Sequence, residues 1–280
     1  MSESGQNARR KLVVSVCGKG GTGKTALTAM MARALADSGR AGRLLVIDAD
    51  PALGQLSALG AKVRRTMGQV REEIIETARR GDRDAKAELA EKLDYLVLES
   101  LCELEDFAVL AMGRSESLGC FCSVNSLLRQ AIEVLAKSFD TVLIDGEAGL
   151  EQINRQVARR VDALLIVSDP TSRGIETAAV IRDMVRRDRV IECERLGIVF
   201  NRVRGEREGQ VLREAARRLE LPLFGLVPED ETLSRYDLEG RPVIGLPADS
   251  PAPAAVRDLV ERVLLGGGQD ELRESAGAST

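Results

Sequence analysis

The chain has 280 residues, enough for one α/β domain with a sizeable core, and its hydrophobic share of 44% is that of a globular protein. It has 40 Lys and Arg against 44 Asp and Glu, and the resulting net charge of −4 argues against a basic surface that coats nucleic acid. Aromatic residues make up only 2%, which disfavours stacking platforms for single-stranded nucleic acid. The absence of His excludes His-based catalysis and His metal sites.

No segment of the sequence indicates membrane insertion or export. No apolar run approaches the roughly 18 residues of a membrane span, and residues 1–10 lack the apolar region of a signal peptide. We therefore expect a cytoplasmic protein that contacts no membrane. We also expect a flexible N-terminus over 1–10, a single domain over 11–265 and a flexible tail over 266–280.

Strand and helix patterns alternate along the chain. Short apolar runs predict strands at 11–16, 43–48, 141–145, 163–168, 196–200 and 223–227. Apolar residues at helical spacing predict helices at 25–38, 67–80, 83–92, 124–137, 151–160, 173–188, 207–219 and 253–265. Two further apolar runs cover 95–98 and 107–112, and a Gly- and Ser-rich loop covers 113–123. This alternation predicts an α/β fold with a mostly parallel twisted sheet flanked by helices on both faces.

A glycine-rich loop follows the first predicted strand. Residues 18–25 read G-K-G-G-T-G-K-T, which matches the phosphate-loop pattern G-x-x-x-x-G-K-[ST] between a strand and a helix. Glycines let successive backbone N–H groups form a concave anion site, and the following helix directs its positive dipole end at the phosphates. We expect Lys24 to bind the β- and γ-phosphates and the Thr25 hydroxyl to bind Mg²⁺. The nucleotide-binding residues expected here are Gly18, Lys19, Gly20, Gly21, Thr22, Gly23, Lys24, Thr25 and Ala26.

Acidic residues lie at the ends of two predicted strands. Asp48 ends the second predicted strand and Asp50 follows it, and Asp145 ends the strand predicted at 141–145. Because ligands bind beyond the carboxyl ends of parallel strands, we expect these carboxylates to face the phosphate loop. Asp145 is the Walker B candidate that holds Mg²⁺, and residues 146–149 would then form a switch that senses the γ-phosphate. With no His in the chain, a carboxylate is the natural group to orient the attacking water.

A pair of cysteines precedes a predicted helix. Cys120 and Cys122 lie just before the helix predicted from Val124, with Ser123 as its N-cap. A helix N-terminus favours thiolate, so both sulfurs are suited to bind metal. Two thiolates make half of a tetrahedral site, and a two-fold axis between two chains would supply four, which suits Zn²⁺, Ni²⁺ or Cu⁺. Buried apolar cysteines and a redox disulfide are the alternatives for this pair. The cysteines expected in the core are Cys17, Cys102 and Cys193.

The phosphate loop contains a second lysine, Lys19, at the start of the run K-G-G-T-G-K-T. This run resembles the deviant Walker A motif of the ParA, Min and nitrogenase iron protein ATPases, a class of P-loop NTPases. The resemblance implies that Lys19 crosses a dimer interface to the partner's nucleotide, so that the chain acts as a homodimer. It also implies that Asp50, in the pair D-P, orients the attacking water, while Asp48 supports the Mg²⁺ shell or the loop. Lys19, Lys24 and Asp50 are thus the expected catalytic residues.

The same resemblance indicates where the base binds. The guanine-reading pattern N-K-x-D is missing, because residues 201–204 read N-R-V-R. The family's adenine-contacting Asn aligns with Asn201, and its second base loop aligns with residues 227–230. ATP, with ADP as its product, is therefore favoured over GTP. The residues expected to contact the base are Asn201, Arg202, Pro228, Glu229 and Asp230.

Four segments together resemble the CooC family, the ATPases that help to insert nickel into carbon monoxide dehydrogenase. They are the K-G-G-T-G-K-T loop, G-C-F-C at 119–122, D-G-E-A-G-L-E at 145–151 and F-N-R at 200–202. The resemblance spans residues 12–265, and the C-x-C pair is its most specific part. One departure is Gln152, which stands where members of that family commonly have a His.

This resemblance implies an ATP-hydrolysing nickel metallochaperone. Ni²⁺ or Zn²⁺ would be held between two subunits by Cys120 and Cys122, and the client would be apo carbon monoxide dehydrogenase or acetyl-CoA synthase. Two other functions fit the ATP site: a Min/ParA-like positioning ATPase and an ATP-dependent iron–sulfur electron donor. The first is disfavoured because the stretch 254–265 lacks a basic face for membranes. The second is disfavoured because an adjacent C-x-C pair is poorly suited to spanning a cluster.

Overall fold

A computed structural model of the chain describes residues 11–50, 52–80, 92–93, 95–114, 122–146 and 157–266, with only the backbone at 78, 80 and 122–125. The proposed flexible ends and most of the helix predicted at 83–92 lie outside the described residues. So do Pro51, most of the cysteine loop, and residues 147–156, which include most of the predicted switch and Gln152.

The strands form one eight-stranded sheet in the order β3-β4-β2-β5-β1-β6-β7-β8. All neighbouring strands are parallel except β3 and β4, which are antiparallel. The strands are β1 (Leu12–Gly18), β2 (Leu44–Asp48), β3 (Leu101–Glu103), β4 (Ala108–Ala111), β5 (Thr141–Asp145), β6 (Arg160–Ser168), β7 (Glu192–Val203) and β8 (Leu223–Pro228). The parallel arrangement brings the carboxyl ends of β1, β2 and β5 together at one edge of the sheet.

Helices cover both faces of this sheet. They are α1 (Lys24–Asp37), α2 (Gly54–Leu59), α3 (Met67–Arg80), α4 (95–99), α5 (Cys122–Lys137), α6 (Ser172–Arg186), α7 (Gly205–Arg218), α8 (Glu231–Leu238) and α9 (Pro251–Leu259), which continues as a π-helix at Val260–Leu264. One buried cluster includes residues of α3, α5, α6 and α7, and the other includes residues of α1, α2, α8 and α9. Along β1, Val14 and Val16 belong to one cluster and Cys17 to the other, because the central strand is buried on both faces. The predicted fold class is confirmed.

Several short elements differ from the sequence predictions. Helices α2 and α8 were not predicted, because six and eight residues are too few to display an apolar repeat. The apolar run at 95–98 is helical, and β3 pairs antiparallel with β4. The prediction that a helix extends to residue 160 is wrong, because β6 begins at Arg160. Pairing with the long strand β7 overrides the local helical pattern there.

The cysteines outside the C-x-C pair pack largely as expected. Cys17 is fully buried, and burial raises the pKa of its thiol to about 12, so it stays protonated and unreactive. Cys102 and Cys193 are half-buried and pack against the two apolar clusters.

Candidate functional site

The phosphate loop connects β1 to α1 through backbone conformations that favour glycine. Gly18, Gly21 and Gly23 have φ angles of +146°, +82° and +86°. A Cβ on Gly18 would lie 2.1 Å from the backbone oxygen of Val167, so β6 closes one side of the loop. Gly23 forms the N-cap of α1, and a Cβ there would lie 2.4 Å from Nδ2 of Asn201. At Gly18 and Gly23 both the conformation and the space require glycine, whereas at Gly21 only the conformation does.

The two lysines of the loop have different environments. The Lys19 carbonyl accepts hydrogen bonds from Thr22 Oγ1 (2.9 Å) and Lys24 Nζ (3.2 Å). Lys24 is therefore buried and held inside the loop, with its ammonium directed at the loop's own backbone. The Lys19 side chain is half-buried. The first lysine is thus fixed by its backbone and the second by its side chain.

Two buried carboxylates lie at the carboxyl ends of adjacent strands. Asp48 of β2 pairs in register with Asp145 of β5, and the two are 0% and 1% exposed. Burial, together with the charges of Asp48 and Asp50, raises the pKa of Asp145 to about 7, although a hydrogen bond from Thr25 and the charge of Lys24 partly offset the rise. Burial raises the pKa of Asp48 to about 6, although backbone N–H groups partly offset this. A bound cation would stabilise the ionised form of such desolvated carboxylates.

Hydrogen bonds fix the orientation of these acids. Asp48 accepts from the backbone N–H groups of Asp50 (3.1 Å) and Gln55 (3.2 Å). Asp145 Oδ1 lies 3.4 Å from the buried Thr28 hydroxyl. Asp50 is half-buried, and its carboxylate accepts from the backbone N–H of Ala52 at 2.8 Å. The predicted acids are therefore gathered behind the phosphate loop.

This group of side chains fits Mg²⁺. Thr25, Asp48 and Asp145 offer only oxygen donors, which a hard divalent cation prefers. Two of them are buried carboxylates with raised pKa values, which is the electrostatic mark of a site that is completed by a cation. Gly54 lies against Thr25, with 3.6 Å between its Cβ position and the Thr25 methyl, so α2 begins beside the threonine.

The loop expected to bind the base contacts the phosphate loop directly. Asn201 is 3% exposed, and its Nδ2 donates to the Thr22 carbonyl (2.9 Å) while its Oδ1 accepts from the Arg202 N–H (3.0 Å). One N–H and one lone pair of the amide are left for a ligand. Arg202 has φ +62°, and the register of β7 with β8 shifts at this point, which leaves its side chain exposed.

The second base loop is held by its acidic residues. Asp230 is buried and caps α8, accepting from the N–H groups of Thr232 and Leu233, while its other oxygen accepts from Ala252 at the start of α9. Glu229 forms a bidentate ion pair with Arg204, whose Nε and Nη2 atoms lie 2.6 and 2.8 Å from the two carboxylate oxygens. Both carboxylates already have partners within the protein. We therefore expect the backbone of this loop, after Pro228, to contact the base.

The metal-binding prediction falls largely outside the described residues. Cys120 is not described, and of Cys122 only the backbone is. Helix α5 begins at Cys122 itself and not at Val124, so Ser123 is inside the helix and is not its N-cap. No group of three or more Cys, Asp or Glu suited to a metal ion occurs in the described ranges. The pair Cys120–Cys122 stays a prediction.

One residue of this site was missed by the sequence reasoning. Gln55 is fully buried next to Asp48 and Asp145, and it comes from α2, a helix that was not predicted. The only sequence signal is an amide five residues after Asp50, at the start of a short polar turn. That signal is too weak to single out Gln55 without the structure.

We expect Gly23→Ala to impair both folding and nucleotide binding. The new Cβ would lie 2.4 Å from Asn201 Nδ2, in a conformation with φ +86°. Strain and clash together should lower the free energy of unfolding by about 2–4 kcal/mol and weaken nucleotide binding about tenfold or more. Denaturant unfolding and titration with a fluorescent ATP analogue measure both. Gly39→Ala is the matched control, since Gly39 has φ +63° and open space around it; equal effects of the two substitutions would contradict the clash.

The C-terminal helix packs into the protein. Val256, Leu259, Val260 and Val263 of α9 and its π-helical continuation are at most 1% exposed and belong to a buried cluster. Its last turn is tied down by Arg40, which donates to the carbonyl of Leu265. Within the described ranges, each helix falls short of the length and hydropathy required to cross a bilayer.

Comparisons with known proteins agree with this fold and indicate a nucleotide-binding domain. The sequence pattern of the CobQ/CobB/MinD/ParA nucleotide binding domain matches residues 13–243. An uncharacterized ATP-binding protein of Methanocaldococcus jannaschii is 36% identical over 256 residues, which cover 90% of this chain and 98% of that protein. The carbon monoxide dehydrogenase accessory protein CooC of Rhodospirillum rubrum is 30% identical over 264 residues, covering 89% and 97%.

A solved structure shares the fold. The septum site-determining protein MinD of Pyrococcus horikoshii, in complex with Mg-ADP, has a TM-score of 0.63 at 20% identity, covering 92% of this chain and 98% of that one. The family pattern spans β1, the phosphate loop, the acidic strand ends and the base loops. The chain therefore belongs to the CobQ/CobB/MinD/ParA nucleotide-binding domain family and has the P-loop fold of the MinD/ParA type.

Proposed function

We propose that this chain is an ATP-hydrolysing, dimeric metallochaperone that delivers nickel to carbon monoxide dehydrogenase or acetyl-CoA synthase. The observation that carries the proposal is the C-x-C pair Cys120 and Cys122 in the sequence, of which Cys122 is the first residue of α5, in a chain with a complete phosphate-loop motif. The 30% identity with a protein named as a carbon monoxide dehydrogenase accessory protein supports the same conclusion.

In this proposal the phosphate loop binds ATP through backbone N–H groups and the positive end of the α1 dipole. Lys24 exchanges its contact with the Lys19 carbonyl for the β- and γ-phosphates. Thr25, Asp48 and Asp145 would hold Mg²⁺, which would neutralise phosphate charge when bound. Asp50, fixed by its contact with the Ala52 N–H, orients the attacking water.

Base recognition in this proposal uses the free donor and acceptor of Asn201. One N–H and one lone pair of this amide can pair with the adenine edge while the other two hold Thr22 and Arg202. The chain lacks the Asp that reads guanine in N-K-x-D loops. This supports ATP as the nucleotide.

Metal binding in this proposal is shared between two chains. A helix N-terminus favours thiolate and Cys122 is the first residue of α5, and in this proposal Cys120 and Cys122 of two subunits supply four sulfur ligands for Ni²⁺ or Zn²⁺. The metal is cargo, so its site must open in one nucleotide state. Lys19, crossing to the partner's nucleotide, couples ATP binding to the dimer arrangement and thereby to the metal site.

A positioning ATPase of the Min type is the competing function. It is supported by relatives such as the MinD of Bacillus subtilis, 25% identical over 258 residues. Against it, the apolar face of α9 is buried in the core and is not available for a membrane surface.

The decisive experiment measures metal content per chain and solution mass after loading with Ni²⁺, in the presence of ATP or ADP. We expect about one metal ion per two chains, since each chain offers two thiolates to a four-ligand site. Cys120→Ser should abolish this stoichiometry, whereas the matched control Cys102→Ser, at a half-buried cysteine in β3, should retain it.

The outcomes separate the competing functions. An unchanged metal content in Cys120→Ser would contradict the site. A chain that binds no metal in any nucleotide state, and that pellets with vesicles or DNA only with ATP, would be a positioning ATPase. Absorption near ~400 nm would indicate an iron–sulfur cluster in place of nickel.

A further inference from the structure

Gln55 is a buried amide beside the two acidic strand ends. It is the second residue of the six-residue helix α2, and its side chain is 0% exposed. Burying an amide costs free energy unless its donors and acceptor have partners. The identity of those partners therefore indicates what this side chain does.

The amide is docked against one turn of α1 and against Asp145. One of its ends faces the carbonyl oxygen of Thr25, which can only accept, so this end is the nitrogen. In this orientation Nε2 donates to Thr25 O (3.0 Å) and to Asp145 Oδ2 (3.0 Å), while Oε1 accepts from Ala29 N (3.3 Å). Both N–H groups are thus used, one by the helix that carries Thr25 and one by the carboxylate.

The backbone of Gln55 binds the second carboxylate. Its N–H donates to Asp48 Oδ2 at 3.2 Å, and Asp48 pairs in register with Asp145 on the neighbouring strand. One residue therefore holds both buried acids, Asp48 through its backbone and Asp145 through its side chain. It also connects α2, and with it the loop that follows Asp50, to α1.

The chemistry of the amide suits this position. A Lys or Arg at the same place would neutralise a carboxylate that is needed for a cation, whereas an amide donates a hydrogen bond without adding charge. The donor is directed at one oxygen of Asp145, which leaves the other oxygen, next to Thr28, with free lone pairs. Outer contacts of this kind orient ligands and are needed for tight metal binding.

We propose that Gln55 is a positioning residue for the Mg²⁺-dependent part of nucleotide binding: it orients Asp145 and fixes the Asp50 loop relative to the Thr25 turn of α1. This inference rests on the proposed function in requiring that ATP and Mg²⁺ bind at the phosphate loop. It does not depend on nickel, on a client or on hydrolysis.

The test compares the affinity for a fluorescent ATP analogue in Mg²⁺ with the affinity in EDTA, together with the melting temperature. The variants are Gln55→Leu, which removes the donor, and Gln55→Glu, which keeps the shape but directs an oxygen at two acceptors. We expect the gain in affinity from Mg²⁺ to fall about tenfold in Gln55→Leu and further in Gln55→Glu, with affinities in EDTA within about twofold of the unsubstituted chain. Gln210→Leu, at an exposed position of α7, is the matched control and should change neither value.

If Gln55 acted through packing alone, the Mg²⁺ effect would fall more in Gln55→Leu than in Gln55→Glu, because Glu is isosteric with Gln and Leu is not. A normal Mg²⁺ effect in folded Gln55→Glu would overturn the inference, and if this variant does not fold, a normal effect in Gln55→Leu would do so. Absence of ATP binding in the unsubstituted chain would contradict the proposed function, and this inference with it.

Discussion

Asp145→Asn is expected to stabilise the nucleotide-free protein and to abolish Mg²⁺-dependent ATP hydrolysis. Asp145 is 1% exposed, and its ionised form is disfavoured by burial and by the charges of Asp48 and Asp50. An Asn keeps the shape and one of the two acceptor oxygens but carries no charge to desolvate. We expect a gain of about 1–3 kcal/mol near neutral pH, or roughly 2–4 °C in melting temperature per kcal/mol.

The size of this gain should depend on pH with a defined sign. The pKa of Asp145 is about 7 in the folded chain against an ordinary value of 3.8, so the folded state binds the extra proton between these values. A group of this kind contributes stability that is present below about pH 4 and is lost as the pH rises to about 7. Asp145→Asn should therefore match the unsubstituted chain near pH 4 and exceed it increasingly up to about pH 7.

Melting curves of the nucleotide-free proteins between pH 4.5 and 8 test this prediction. Asp106→Asn, an exposed acid between β3 and β4, is the control and should give a small difference. Adding Mg²⁺ and ATP should reverse the order, because ligand binding stabilises the unsubstituted chain and Asp145→Asn binds the Mg²⁺ complex poorly. A variant that is less stable than the unsubstituted chain at pH 8 would show that Asp145 is held ionised by its neighbours, contrary to this reading.

The alternation of apolar strands with helices was sufficient to predict the fold, and a local motif was sufficient to predict the phosphate loop. Gly18 and Lys24 lie in one contiguous run, whose pattern requires a strand before it and a helix after it. The location of Asp48 and Asp145 near the phosphate loop could be predicted because each ends a strand of a parallel sheet. In such a sheet the topology determines which ends of the strands face a ligand.

The parts that could not be predicted depend on contacts between distant segments. Gln55 acts through Asp145, 90 positions away, and the orientation of its amide follows only from its partners. Asp230 resembled a ligand for the base, but both of its oxygens accept from backbone N–H groups at the starts of α8 and α9. Helix α8 was not visible in the sequence pattern, and the start of α9 was predicted two residues too late, at 253, so the cap could not be distinguished from a binding residue.

Lys19→Ala and Lys24→Ala are expected to stop ATP hydrolysis for different reasons. The Lys24 ammonium lies inside the loop, so its removal should weaken ATP binding about 100-fold or more and abolish hydrolysis as a consequence. Lys19 contributes its carbonyl to the loop, and Lys19→Ala keeps that carbonyl in place. ATP binding should then stay within a few-fold, while hydrolysis falls about 100-fold or more because a transition-state charge is missing. Nucleotide titration, a phosphate-release assay and solution mass with ATP measure these effects.

Mixing two inactive variants decides whether Lys19 acts on its own nucleotide or on that of its partner. In a dimer of Lys19→Ala with Asp50→Asn, the site that keeps Asp50 receives its lysine from the other chain if Lys19 acts across the interface. One of the two sites in each mixed dimer is then intact, so an equimolar mixture should recover about a quarter of the normal rate, since half of the dimers are mixed. If Lys19 acts within its own chain, each site in the mixed dimer lacks one of the two residues, and no activity returns. Recovery of activity would make the dimer the catalytic unit, and it would tie ATP hydrolysis to the same two-chain arrangement that a shared Cys120–Cys122 metal site requires.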